Sequence, residues 1–260
     1  MPDNYLPSVC LASPLHDPNA RLSEMIRLHG KKLKDLYKNL ICISVTHTTS
    51  PDIIHQLEKL EIKHEIIPKT KGIDVGLNMK NAISLGLQLQ TSHIHLVDFD
   101  RALHWTETYP RELKDVIGIL PQYSGFISFT RTNRAFETHP YPQRTTESII
   151  NAIASETAKI TVDIMSGSFG FSRKFAKKVV KEAKRKDFGI YAEFLHLALK
   201  HHYLIEHIEA DGLEWETPDQ FQDEIGRLSY SSWLKHFQSL SEWEKRVQLL
   251  EHSAEVLIQK

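Results

Sequence analysis

Apolar positions along the first hundred residues fall into two alternating patterns. Short apolar runs read as strands: "SVCLAS" (8–13) as a buried one, "LICISV" (40–45) as a second and "HEIIPK" (64–69) as a third, short one, while "HIHLVDFD" (93–100) begins as a fourth. Between them the spacing is helical. Leu22, Met25, Ile26, Leu33, Leu36 and Tyr37 share one face, Ile53, Ile54, Leu57 and Leu60 another, and Ala82, Ile83 and Leu87 a third. Ser50 followed by Pro51 marks the start of the second helix, since serine caps and proline fits the first turn. Strands separated by helices predict a mostly parallel sheet, whose ligand crevice lies beyond the carboxyl ends of the strands.

The second half changes character. "SGFISFTR" (124–131) predicts a strand and "RTNRAFETHPYPQR" (131–144) a polar loop. "TTESIINAIASETA" (145–158) predicts a helix opened by Thr145 or Thr146 ahead of Glu147. After "DIMSGSFGFSR" (163–173) come two helical stretches at 173–186 and 188–201, then one or two strands in "YLIEHIEADGLEWE" (203–216). Helix resumes at Thr217, and Trp233, Leu234, Phe237, Leu240, Trp243 and Val247 keep helical spacing. We divide the chain into a domain over 1–216 and a helical appendage over 217–260, which packs on the domain or forms the interface of a homo-oligomer.

Composition narrows the functional classes. The chain has 260 residues, 41% hydrophobic and 25% charged, enough for a substantial core. Its net charge of -1 is spread along the sequence, so no global field draws it to nucleic acid. The basic helix "KKVVKEAKRK" (177–186) interleaves Val179, Val180 and Ala183, the mark of an amphipathic helix with a solvated face. No apolar run reaches the ~20 residues that span a bilayer, and no secretory leader is visible, so a cytoplasmic location is expected. Cys10 and Cys42, both inside strand-like runs, are expected to be buried reduced thiols.

Two carboxylates, Asp98 and Asp100, end the fourth apolar run. On a continuing strand they would face the same side roughly 6–7 Å apart, where their repulsion calls for a shared proton or a cation. Mg²⁺ or Mn²⁺ carrying diphosphate oxygens fits that need, because these ions prefer oxygen ligands and often take few from the protein. The bland reading has one aspartate capping the next turn and the other pairing with Arg101.

With "DFD" in this position, followed by "SGSFGFSR" and "DFGIYAEFLHLALKHHYLIEHIEADGLEWE", the chain resembles glycosyltransferases of the GT-A fold. It lies near the group containing the dolichyl-phosphate mannose synthases. The resemblance spans about residues 8–216. It implies an α/β GT-A domain with a mostly parallel sheet flanked by helices, here followed by a C-terminal helical extension. It further implies a metal-dependent transferase moving a sugar from a nucleotide-diphosphate donor to a hydroxyl acceptor.

By the same resemblance Asp98 and Asp100 hold the metal, with His207 as a candidate further ligand. Ser13, Pro14, Asp17, Lys71, Lys80 and Asp98 lie on the donor side. Gly167, Ser168 and Arg173 lie on the acceptor side, and Glu193 is the acceptor base. Bland alternatives stay open: Asp17 as a helix cap, Lys71 and Lys80 as solvated cations, His207 as a structural histidine, Glu193 as a solvated helix residue. Many relatives carry an aspartate after the second strand, where this chain has "SVTHTTSPD" and offers Thr46 or His47. That departure keeps two other functions in view, a nucleotidyltransferase on a similar scaffold and a non-catalytic module that binds nucleotide or sugar. The first commonly shows a glycine-rich basic loop after its first strand, which "ASPLHDPN" lacks.

Overall fold

The computed structural model describes residues 8–69 and 75–258. The first half is a run of β–α units: β1 (Val9–Leu15), α1 (Ser23–Leu36), β2 (Ile41–Val45), α2 (Pro51–Lys59), β3 (Lys63–Ile66), α3 (Val75–Gln88) and β4 (His93–Val97). Ser50 caps α2 by accepting from the Asp52 N–H, and Pro51 opens it. The chain then forms α4 (Phe99–Thr108), α5 (Pro110–Ile119), β5 (Gly125–Arg131), α6 (Asn133–Glu137), α7 (Tyr141–Ala158), β6 (Ser168–Ser172), α8 (Arg173–Glu182), α9 (Ile190–Lys200) and β7 (Leu204–Ala210). Short 3₁₀ turns lead into α10 (Gln222–Leu228), α11 (Tyr230–Leu234) and α12 (Leu240–Ile258).

The strands form one seven-stranded sheet in the order β3-β2-β1-β4-β6-β5-β7. β1, β2, β3 and β4 run parallel, β6 is antiparallel to both its neighbours, and β5 pairs parallel with β7. Strand alternation divides the core in two. Cys10, Ala12, Ile94 and Leu96 face a layer containing α3, α7, α8, α9 and α12, while Val9, Leu11, Ile41 and Ile43 face α1, α2, α4 and α5. Helices on both faces explain why these strands read as unbroken apolar runs. Both cysteines are buried free thiols. Among the described residues no helix is long and apolar enough to cross a membrane.

Three expectations change at the sequence level. The predicted strand stops at Val97, so Asp98 and Asp100 belong to the start of α4. The predicted loop over 131–144 holds α6, capped by Thr132 through the Ala135 N–H, and the first turn of α7. Consequently Thr145 and Thr146 are interior to α7, where their hydroxyls donate back to the Tyr141 and Pro142 carbonyls instead of capping. In the tail, α12 brings Val256 and Leu257 into the core layer it shares with α7 and α9.

Candidate functional site

The fold brings Asp98 to the carboxyl end of β4, beside the carboxyl end of β1. Asp98 has the backbone geometry of an N-cap for α4 (φ -59°, ψ 136°), yet its side chain does not cap the helix. Among the described residues that carboxylate accepts no hydrogen bond. Aspartate at this position normally accepts from the second or third helical N–H, so an uncommitted one is open to a ligand. Asp100, in the first turn, is more occupied: Oδ1 accepts from the Arg101 N–H at 2.9 Å and Oδ2 from Gln220 Nε2 at 2.8 Å.

Gly167 makes room for this arrangement. Its φ of +70° lies in the left-handed region, and a Cβ built there would stand 2.7 Å from Asp98 Oδ2 and 3.3 Å from Arg101 Nε. Its carbonyl also accepts the Asp98 N–H at 3.3 Å. The β6 approach therefore fixes the Asp98 backbone while leaving its carboxylate clear.

The electrostatics are unbalanced. Arg101 is buried; Nη1 donates to the Leu213 carbonyl at 3.1 Å, Nη2 to Glu216 Oε1 at 3.0 Å, and Nε has no partner among the described residues. One guanidinium thus faces Asp98, Asp100 and Glu216. Burial, then the charge of Asp100, push the Asp98 carboxyl up to about 8 despite Arg101. Burial, then Glu216, raise Asp100 to about 6. A proton or a cation relieves carboxyl groups held in this way.

Two cavities meet here. The first, about 190 Å³, lies between the ends of β1 and β4 and is lined by Pro14, His16, Asn78, Asp98, Asp100 and Gln220 among others. The second, about 160 Å³, is lined by Arg101, Gln143, Glu147, Gly167, Trp215 and Glu216 among others. Asp98, Phe188 and Tyr191 line both. Above them the segment after β7 is strapped to α4: Glu216 holds Arg101, Gln220 holds Asp100, and Asp219 Oδ2 sits 2.6 Å from His104 Nδ1.

Of the residues singled out in the sequence, Pro14, Asp98, Asp100 and Gly167 come together at these cavities. The others serve elsewhere. Ser13 Oγ is buried, donating to the Val97 carbonyl at 2.6 Å, and ties β1 to β4. The Asp17 carboxylate accepts the Arg21 and Leu22 N–H groups, the capping role held open above. Lys80 Nζ donates to the Ala183 carbonyl at 2.9 Å. Arg173 donates to the Thr91 and Leu87 carbonyls, and Ser168 Oγ meets His95 Nε2 at 2.9 Å in the core.

Glu193 faces neither cavity. Its carboxylate accepts the Lys184 and Arg185 N–H groups at 2.8–2.9 Å and closes the loop after α8. His207 is exposed on β7, opposite Ser128, and lines neither cavity. Both were placed by order along the chain, and the loop geometry that redirects them has no sequence signature of its own. Lys71 lies outside the described residues.

Four participants escaped sequence reading: Gln220, Glu216, Tyr191 and Asn78. Glu216 and Gln220 are far from "DFD" in sequence and reach it only because β7 pairs with β5 and returns the chain over α4. Among the described residues, the group with three metal-ligand atoms within 4.8 Å is His104, Glu107 and Asp219, along α4 from Asp100. Asp98 and Asp100 form no such closed cage. Mg²⁺ and Mn²⁺ do not require one when a substrate's phosphates complete the shell.

No protein-family model matches the chain, and no curated protein matches it. Solved structures do. Glucosyl-3-phosphoglycerate synthase from Mycobacterium tuberculosis, in complex with Mn²⁺, uridine diphosphate and phosphoglyceric acid, aligns with a TM-score of 0.54 at 12% identity, over 88% of this chain and 78% of that one. The same enzyme with uridine diphosphate alone gives 0.53 at 12% identity, over 78% and 70%. At such identities the likeness speaks for architecture. The chain has a GT-A fold, a Rossmann-like, mostly parallel sheet flanked by helices and closed by a C-terminal helix.

Proposed function

We propose that this protein is a nucleotide-sugar-dependent glycosyltransferase that uses a divalent cation, Mg²⁺ or Mn²⁺, held by Asp98 and Asp100. The observation that carries the reading is the aspartate at the N-cap of α4 that caps nothing, borders both cavities, and shares one arginine with two other carboxylates. The donor set is all oxygen and anionic, as these ions require. When bound, the ion would neutralise charge on the departing diphosphate.

The chain's own residues do the positioning. The cavity between β1 and β4 takes the donor, with Asn78 and His16 on its wall and Gln220 above Asp100. His16 Nδ1 is 2.8 Å from Thr46 Oγ1, so the hydroxyl cluster after β2 stands where relatives carry an aspartate. The second cavity, across Asp98, takes the acceptor. In the transfer an acceptor hydroxyl oxygen bonds to the anomeric carbon and the bond from that carbon to the diphosphate oxygen breaks. The electron pair leaves on the nucleoside diphosphate, which also takes the hydroxyl proton.

The test is a thermal-shift titration with nucleoside diphosphates, uridine diphosphate first, with and without Mn²⁺ or Mg²⁺. Saturation at a hundredfold over Kd is worth about 2.7 kcal/mol, a rise of roughly 5–10 °C for a chain of this size. We expect that rise only with metal, and not in Asp100→Ala. Sugar-nucleotide hydrolysis is then followed by nucleotide release. No shift with any nucleotide sinks the reading, binding without turnover favours a binding module, and pyrophosphate release favours nucleotidyl transfer.

A further inference from the structure

The second cavity has a wall chemistry that narrows its occupant. Three guanidinium groups stand at or behind it, and each is already matched by carboxylate. Arg101 Nη2 lies 2.9 Å from Glu216 Oε2. Arg131, behind α7, meets Asp163 and Glu147, both at 2.7 Å. Arg246 Nε lies 3.0 Å from Glu242 Oε1, and its Nη1 3.7 Å from Glu147 Oε1. Among the described residues no lysine lines the cavity, and the Asp98 carboxyl stands at its mouth.

The polar groups left over are suited to hydroxyls. Gln143 is 7% exposed, and its Oε1 has no hydrogen-bond partner among the described residues. Glu147 Oε2 and Glu216 Oε2 touch their arginines outside hydrogen-bond geometry. Arg101 Nε is a buried donor without a partner among the described residues. Buried polar groups without partners are costly, so a ligand that pairs them is favoured. Trp215 supplies a ring, fixed by Trp233 at 5.4 Å and Phe237 at 5.1 Å between centroids. A volume of about 160 Å³ is small for a ligand site.

We propose that the acceptor of this protein is a small neutral polyhydroxyl molecule, a polyol or monosaccharide, held by Gln143, Glu147 and Arg101 beside Trp215, and that phosphorylated or carboxylated acceptors are excluded. This rests on the transferase reading above. Among the described residues an added anion finds no uncommitted cation in the wall and meets the carboxylates of Glu147 and Glu216, whereas hydroxyl groups donate to the carboxylate and amide oxygens and accept from Arg101.

The test uses the full chain and two readouts. Binding of glycerol, D-glucose and D-mannose is compared by saturation-transfer NMR and calorimetry with glycerol 3-phosphate, glucose 6-phosphate and D-glycerate. In parallel the metal-dependent nucleotide shift is measured on the same sample. The neutral probes are expected to bind, and their charged counterparts to bind at least roughly tenfold more weakly. Gln143→Leu, close in volume, is expected to raise the Kd of the neutral probe roughly fivefold, the worth of one hydrogen bond. Tighter binding of a charged probe overturns the proposal, and so does an intact nucleotide shift with no neutral probe bound. Loss of the nucleotide shift itself in the wild type would fell the transferase reading instead. The wild-type preference needs no variant to fold.

Discussion

Replacing Asp98 with asparagine is expected to stabilise the unliganded protein while removing its response to metal and nucleotide. The magnitude follows from the imbalance at the start of α4. In the unfolded chain the carboxyl ionises near 3.8, whereas burial and then Asp100 raise it in the folded state to about 8. Between those values the native state binds more protons than the unfolded one, so stability falls as pH rises through the window. At pH 7 about three units of that shift have been spent, a ceiling of about 4 kcal/mol. Asp98 and Asp100 titrate as a pair, so part of the relief is shared, and a gain of about 1–3 kcal/mol is expected from asparagine. That is a rise of roughly 3–10 °C in Tm.

Melting curves with chelator, for wild type and D98N, at about pH 4.5 and about pH 7.5 read this out. The difference should be small at the lower pH and full at the higher. Mn²⁺ with a nucleoside diphosphate should then raise the wild type alone. If D98N melts below the wild type at the higher pH, or the offset is the same at both, the electrostatic account is wrong.

Three more outcomes follow from the same geometry. Gly167→Ala combines left-handed backbone with a Cβ 2.7 Å from Asp98 Oδ2, and should cost about 1–2 kcal/mol in melting experiments and more in metal-dependent nucleotide affinity; unchanged affinity would separate the glycine from the site. Glu193→Gln should lower Tm by a few degrees, about 1–2 kcal/mol, through the loop it closes, without changing the pH profile of turnover that an acceptor base would govern. At His104, burial works downward, but Asp219 and its neighbouring carboxylates outweigh it and raise the ring above its ordinary value of 6.5. Its stabilising contribution is present below 6.5 and lost as pH climbs through the raised folded-state value, so the Tm difference from His104→Gln should shrink on that climb.

What the sequence disclosed and what it withheld have physical causes. β1, β2 and β4 were legible because a sheet covered on both faces needs unbroken apolar runs, and Ser50–Pro51 because capping is local chemistry. β3, mostly exposed at the sheet edge, was legible only through the short apolar pair within "HEIIPK". The "DFD" pair was found, but its geometry was misread, since nothing local says that β4 yields to helix at Phe99. The α7 start was missed because Pro140 and Pro142 read as loop, although proline at a first turn is favourable. Glu216 and Gln220 were invisible, for their meeting with α4 spans more than a hundred residues of chain. Such contacts are a property of topology.

The wall formed by Asp98, Phe188 and Tyr191 has a consequence for the order in which ligands arrive. Two compartments divided by one ionisable side chain are not independent vessels. Whatever settles the charge of Asp98 from one side changes what the other side sees, and thermodynamic reciprocity makes the factor equal in both directions. On the proposed function, a metal-bound donor that draws the proton from Asp98 would alter the neighbouring compartment, and an occupant there would change the affinity for the donor by the same ratio. In kinetic terms such a partition would favour a ternary complex over independent visits, with the balance between productive transfer and idle donor loss resting on a single carboxyl group.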